Sequence, residues 1–476
     1  MSSYLPGAAR TSSTSPRHGL NSLGTTGLWC HPLGFGCYRV DIDNPTHEAA
    51  LRHYLTAGGN LIDTSANYTD GGAERTIGRV LKDFNRDEVI VVTKGGYIQG
   101  ENMALAQKQT FPEVVKYGPG LWHCIHPEFL KTQIERSRQR MELETIDVFL
   151  LHNPEYFLNY QAKHGGASEA DRTEFYRRVR EAFAFLETEV EAGRLRHYGI
   201  SSNNYPLPLE DPTHTSIARC LEQANAVSAT HHFRVVQFPL NLFEPGVAIH
   251  PSNQGLTPLE FCRQHGIGTL ANRPLNAFAN NQLIRLADFV PPGQKAPGPE
   301  HLDTILKPLA DHELELHMAF RVPLMHEDGI ADHIKELALQ VSSEGVWEQV
   351  VGRYVIYPIR EWLMETSQKM HKQPAIFDKW QNRFVDLINP ALQEVVRYIA
   401  CQSQPQSDAV REQLYEHGYP KGNLTLSQMS LSVLTSLPGL SCTLLGMRRP
   451  EYVADALPVT EIPQVDGLTI LQSLYE

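Results

Sequence analysis

NLIDTSANY, residues 60–68, reads as a strand that ends in chemistry. Leu61 and Ile62 carry a buried strand up to Asp63, and the small and polar residues beyond it form a loop that ends in a single phenol, Tyr68. A carboxylate at a strand tip and a tyrosine a few residues on can share one cavity, because a short irregular loop folds the second side chain back over the first. Taken alone, the segment fits equally well an Asp that caps the next helix beside a surface Tyr. The rest of the chain favours the first reading, because the same event recurs.

Outward from this stretch, a predicted strand over 89–93 delivers Lys94, IDVFLL over 146–151 delivers His152, and 197–201 ends at Ser202 and Asn203. Residues 235–238 hold Gln237, and a strand over 266–271 leads to Asn272 and Arg273. Amphipathic helices are predicted between them, over 46–57, 73–82, 128–141, 174–191 and 258–264, and glycines stop several of them. Continuously apolar strands alternating with helices mean parallel strands covered by helices. The fold class is therefore α/β, a (β/α)8 TIM barrel, with its polar residues at the C-terminal strand ends where such barrels assemble their sites. An open doubly wound sheet would be expected to show a Gly-rich turn after its first strand, and GFGCYR, residues 34–39, lacks that spacing.

The alternation breaks over residues 279–422. After the Pro/Gly-rich stretch 291–299, apolar residues recur at helical spacing in Ile330, Ile334, Leu337 and Val341, and again in Phe377, Trp380, Phe384 and Ile388. Asn389-Pro390 reads as an N-cap with proline at the first helical position, opening a new helix. This is a mostly helical insertion after the seventh strand. It leaves from the rim that bears the polar residues, so a lid or wall over a substrate cleft, or an oligomer contact, is expected of it. Residues 23–278 carry the first seven strands, entered through a small hairpin, and 423–476 complete the barrel with a helix over 426–437 and a strand over 441–445 leading to Gly446. Residues 1–22 are rich in Ser and Thr, with Arg10, Arg17 and no acid, and read as a disordered leader in preference to a transit peptide.

With 41% hydrophobic and 20% charged residues, the 476-residue chain can build a sizeable core and shows no general disorder. A net charge of −12 argues against a nucleic-acid surface. No apolar run approaches the roughly 18 residues of a membrane span. The seven cysteines include no CxxC pair and fit reduced thiols in a cytoplasmic protein. His123, Cys124 and His126 lie close together but lack a further cluster at ligand spacing, so no metal is expected.

LGTTGL and LGFGC near the start, NLIDTSANY, VVTK ending at Lys94, IDVFLLHNP around His152, YGISSN, VVQFPLN and LPGLSCTLLGMRRPEYV together resemble the aldo-keto reductases. The resemblance runs in order and leaves the insertion unmatched. It implies a barrel that uses a nicotinamide cofactor, with Asp63, Tyr68, Lys94 and His152 as the catalytic tetrad. It assigns Ser202, Asn203 and Gln237 to the nicotinamide carboxamide, and Gly446, Arg448 and Arg449 to the adenosine phosphate. Two arginines beside a glycine suit a phosphate, which favours NADP(H), with NADPH preferred and NAD possible. Two positions depart from the family pattern. Asn272 or Arg273 stands where an aromatic residue often stacks on the cofactor, with Arg273 counted among the expected cofactor contacts, and Ala456 stands where an asparagine often faces adenine.

Reducing a carbonyl by hydride leaves an alkoxide that needs a proton donor beside it. A phenol with its usual pKa of about 10 is a reluctant acid, so Lys94 is expected to lower it and Asp63 to hold Lys94 charged. His152 is expected to orient the carbonyl and complete a proton relay. The expected activity is hydride transfer between NADP(H) and an aldehyde, ketone or sugar. A cofactor-binding regulatory or scaffold subunit with little turnover is the alternative. The expected partner is a small molecule, with no nucleic acid or membrane, and the insertion is a candidate homo-oligomer contact.

Overall fold

Eight parallel strands close on one another in the computed structural model, which describes residues 19–279, 282–291, 294–341 and 344–475. In chain order they are Leu33–Gly36, Leu61–Asp63, Ile90–Gly95, Ile146–His152, Leu195–Ser201, Phe233–Pro239, Gly268–Asn272 and Cys442–Leu445. Each pairs with the next, and the eighth pairs with the first. The register carries the sequence signals to one rim: Gly36 lies opposite Asp63, Lys94 opposite Leu150, and Ser201 opposite both His152 and Gln237. The (β/α)8 barrel is thus the fold of this chain.

Local chemistry sets the boundaries. Asn44 caps the helix Pro45–Thr56 through its side chain, and Ser168 with Asp171 forms a capping box for Glu169–Glu191, which starts five residues before the predicted helix. Gly266, at φ 65°, is the left-handed stop of the helix Pro258–His265, so the seventh strand begins at Gly268 and not at 266. The predicted entry hairpin is present as Asn21–Ser22 paired with Trp29–Cys30. Leu23, Leu28 and Cys30 from it pack on Leu61, Val92, Val148, Val235 and Leu270 inside the barrel. Each such buried aliphatic side chain contributes about 1.5–3 kcal/mol. Of the leader expected over 1–22, residues 1–18 lie outside the described residues, and Asn21–Ser22 already form a strand.

The connection after the third strand holds more structure than its sequence announces. It contains a helix, Gly100–Lys108, and a three-stranded antiparallel sheet of Tyr97–Ile98, Val115–Gly118 and Leu121–His123. Strands of two to four residues are too short to display a period.

The chain divides into two compact units, Met1–Leu286 with Leu414–Glu476, and Ala287–Gln413. The second is helical, with helices Glu300–Phe320, Ile330–Gln340, Glu344–Val351, Tyr357–Lys369 and Pro374–Cys401, and has its own core around Trp347, Phe377, Trp380 and Phe384. Asn389-Pro390 does not open a helix there. Pro390 sits inside the continuous helix Pro374–Cys401, whose Phe377, Trp380, Phe384, Ile388, Ala391, Val395 and Tyr398 form one buried stripe on both sides of it. A proline inside a helix costs about 3 kcal/mol, and burying several large side chains along an unbroken axis outweighs that. Among the described residues no helix is long and apolar enough to cross a membrane.

Candidate active site

Asp63 ends the second strand and Lys94 lies within the third, one residue before its end, both buried. Lys94 Nζ donates to Asp63 Oδ2 at 2.7 Å and to the Thr64 carbonyl at 2.9 Å. A fully buried ammonium survives only when paired in this way. Burial alone would lower the Lys94 pKa, but the Asp63 charge first, and the Tyr68 phenol once it ionises, outweigh it and hold the amine above its ordinary value. Lys94 is therefore a fixed cation.

Tyr68 begins a 3-10 turn, Tyr68–Gly71, in which Thr69 and Asp70 have positive φ, and this turn folds the phenol back over the strand ends. Lys94 Nζ lies 5.1 Å from the centre of its ring, and the His152 ring meets it edge-on at 6.0 Å. The phenol pKa is raised, not lowered: burial outweighs the opposing pull of Lys94. Tyr68 thus keeps its proton at neutral pH, which corrects the expectation that the lysine dominates.

His152, the last residue of the fourth strand, is buried, and its pKa is pushed well below 6.5 by burial first and then by the charge of Lys94. The imidazole is neutral. Its Nδ1 lies 2.9 Å from Ser65 Oγ, and that hydroxyl also donates to Asn67 Oδ1 at 2.7 Å. His123 Nε2 donates to the His152 carbonyl at 2.7 Å, and burial lowers the His123 pKa to about 4. Gly96, at φ 151°, makes room for this contact, since a Cβ there would lie 2.7 Å from His123 Nε2.

The remaining predicted residues fall into three places. Ser202 and Asn203 follow the fifth strand, with Ser202 buried and the Asn203 side chain exposed at the rim. Gln237 Nε2 donates to Asp63 Oδ1 at 2.7 Å, while its Oε1 accepts from Ser201 Oγ at 3.2 Å and Asn272 Nδ2 at 3.3 Å. Gln237 therefore braces the Asp63–Lys94 pair, a role its sequence position did not suggest. Arg273, at φ 55°, is drawn to Glu244 by a 2.8 Å ion pair. Gly446 is exposed just past the eighth strand, Arg448 is half-buried, and Arg449 precedes the helix Pro450–Ala456. Burial, then the nearby charges of Arg39, Arg285 and Arg449, depress the Arg448 pKa, so several cations gather at this corner.

Sequence reading missed Ser65, Tyr97, His123 and Glu155. Tyr97 meets the His152 ring edge-on at 4.6 Å and accepts from Asn153 Nδ2 at 2.7 Å, and Tyr156 packs against it at 5.4 Å. Together with Tyr38, 5.3 Å from Tyr68, these rings wall the site with aromatic surface. The short strands that carry Tyr97 and His123 gave no signal, whereas the Ser65 hydroxyl stood in view between Asp63 and Tyr68. In the His123–Cys124–His126 group, Cys124 Sγ donates to the Pro112 carbonyl and His126 Nδ1 accepts the Glu128 N–H. Among the described residues no group of three or more His, Cys, Asp or Glu is arranged to hold a metal.

The model of the aldo/keto reductase family matches residues 32–282. The chain belongs to the aldo/keto reductase family. The match ends near the start of the insertion and does not take in the last motif, over 437–453. Among curated relatives, an NADH-specific methylglyoxal reductase of Escherichia coli is 27% identical over 138 residues, 27% of this chain and 40% of that protein. The norsolorinic acid reductase stcV of Emericella nidulans is 23% identical over 282 residues, 59% of this chain and 58% of that protein. The chain thus spans about half the length of the curated relatives it matches. Among solved structures, the aldo-keto reductase AKR11C1 from Bacillus halodurans, in its holo form, aligns over 96% of both chains at 14% identity with a TM-score of 0.48.

Proposed function

We propose that this aldo/keto reductase is an oxidoreductase that reduces the carbonyl of an aldehyde or ketone, with Tyr68 as the proton donor and NADPH as the preferred cofactor. The observation that carries the reading is the Tyr68 ring held between a buried, charged Lys94 and a neutral His152. The names of two relatives, a methylglyoxal reductase and a norsolorinic acid reductase, fit carbonyl chemistry.

The residues present suit a nicotinamide nucleotide. An exposed Asn203 amide beside Ser202 offers donor and acceptor groups for a carboxamide, and the cations at Arg448 and Arg449 suit a phosphate, which leans towards NADPH over NADH. Bound there, such a cofactor supplies the hydride. The chain's own part is the proton. As negative charge grows on the substrate oxygen, Tyr68 releases its proton, and Lys94, 5.1 Å from the ring centre, stabilises the phenolate left behind. Asp63 and Gln237 keep Lys94 fixed, so no charge has to reorganise during the step.

His152 orients the carbonyl if its Nε2 carries the ring proton. That tautomer requires the Ser65 hydroxyl to donate to Nδ1, and Asn67 Oδ1 competes for the same hydrogen. The aromatic wall of Tyr38, Tyr97 and Tyr156 favours a flat or apolar carbonyl compound over a sugar.

Steady-state oxidation of NADPH, with NADH in parallel, against aromatic aldehydes, aliphatic aldehydes, ketones and sugars tests the reading. Turnover that is lost in Tyr68→Phe while NADPH still binds is the expected result. Tight nucleotide binding with no turnover across the panel would overturn it in favour of a regulatory subunit.

A further inference from the structure

Glu155 is a buried carboxylate three residues beyond His152, and the proton transfer derived above makes no use of it. Its Oε1 accepts the backbone N–H of Asn203 at 2.7 Å, joining the segment after the fourth strand to the turn after the fifth. No protein donor meets its Oε2 at full hydrogen-bond geometry, while the Ser202 hydroxyl and the Asn204 N–H lie close enough to favour its charged form. A carboxylate buried with only one full hydrogen bond is unfavourable for folding, so its presence calls for another reason.

The reason lies in the turn it holds. Ser202 N–H donates to the Gln237 carbonyl at 2.9 Å, Asn204 N–H to Ser202 Oγ at 3.1 Å, and Asn204 Nδ2 to Asn159 Oδ1 and the Thr213 carbonyl, both at 3.0 Å. These bonds tie the turn from behind and leave the Asn203 side chain exposed at the rim. Glu155 supplies the bond at the Asn203 backbone itself. In its ionised form this acceptor makes a bond about twice as strong as a neutral one and holds the peptide more rigidly.

We propose that Glu155 is a positioning residue: it pins the Asn203 backbone so that Ser202 and Asn203 keep one geometry towards the nicotinamide carboxamide, and thereby sets cofactor affinity. The inference rests on the cofactor reading above. Burial pushes the Glu155 carboxyl up to about 7, opposed by the backbone N–H groups around it. The titratable groups that feel its charge are Tyr97, Tyr205 and Cys220, all uncharged at neutral pH.

The test is the NADPH dissociation constant, read by nucleotide fluorescence without substrate, for wild type, Glu155→Ala and Glu155→Gln, with kcat and the cofactor KM alongside. Glu155→Ala is expected to weaken binding about tenfold, the loss of one charge-assisted hydrogen bond, with the cofactor KM rising in parallel and kcat changing less than about threefold. Glu155→Gln keeps an acceptor oxygen and is expected to return affinity to within about threefold of wild type. Should Glu155→Ala not fold, Glu155→Asp, whose carboxylate is withdrawn by one methylene, is expected to weaken binding at least about threefold. Wild-type affinity in the folded Ala or Asp variant overturns the inference alone. So does a folded Gln variant as weak as Ala. A wild type that binds neither NADPH nor NADH overturns the cofactor reading and this inference with it.

Discussion

The barrel and the helical unit Ala287–Gln413 each bury a carboxylate beside a backbone, and they use it differently. In the helical unit, Glu313 accepts the Met325 N–H with one oxygen at 2.7 Å and the Ile330 N–H with the other at 2.8 Å, closing a loop and serving the start of the helix Ile330–Gln340. The His312 imidazole of that unit is likewise occupied: its Nε2 lies 3.0 Å from the Trp380 carbonyl, while Trp380 Nε1 donates to the His312 carbonyl at 2.9 Å. These polar groups are satisfied and finish there. At the barrel rim, burial pushes the Glu155 carboxyl up to about 7, Tyr68 and His152 have displaced pKa values, and Lys94 is buried charged. Satisfied polar groups stabilise a fold, whereas groups left poised are kept for a ligand.

The contrast is sharpest at Tyr68. Tyr68→Phe keeps the ring packing and removes the proton, so kcat is expected to fall about a thousandfold with the NADPH dissociation constant within about twofold of wild type. Retained turnover would dissolve the distinction between the two regions. In the helical unit the matching experiment is Trp380→Ala, which empties the middle of a core and leaves the His312 carbonyl without its indole donor. A loss of about 3–5 kcal/mol in that unit's stability is expected in denaturant unfolding, with the Tyr68-dependent chemistry unaltered once the protein is folded.

Glu155 gives the barrel rim a pH signature. Its folded carboxyl near 7, above the ordinary 4.5, means that the folded state holds the proton more tightly than the unfolded one. Its contribution to stability is present below about pH 4.5 and is lost as pH rises through about 7, at most about 3 kcal/mol. Thermal unfolding of the cofactor-free protein across that window is expected to show the decline in wild type and a shallower one in Glu155→Gln. The smallest effect is expected at Ser65. Ser65→Ala removes the hydroxyl at His152 Nδ1, releases the tautomer, and is expected to lower kcat about tenfold with stability changed by less than about 1 kcal/mol.

By itself the sequence determined the barrel, because apolar strands carrying Asp63, Lys94, His152 and Gln237 at or near their C-terminal ends repeat the pattern of parallel strands covered by helices. It also determined that the insertion is mostly helical, since amphipathic spacing is local information, but not the antiparallel pair Asn276–Ala279 and Gln282–Arg285 that precedes its helices. Tertiary structure decided the rest. Pro390 carries the local mark of a helix start, yet the buried stripe on both sides of it keeps one helix running, because burial sums over the whole element while capping acts at one residue. The resemblance assigns Gln237 to the cofactor, and the fold adds a brace on Asp63, a contact across 174 positions that no spacing encodes. The Tyr68 pKa depends on how much water the surrounding rings exclude against one ammonium, and Glu155 matters only because the ends of two neighbouring strands bring its carboxylate to the Asn203 amide. Identity and periodicity are written along the chain, but desolvation and long-range hydrogen bonding exist only once it has closed on itself.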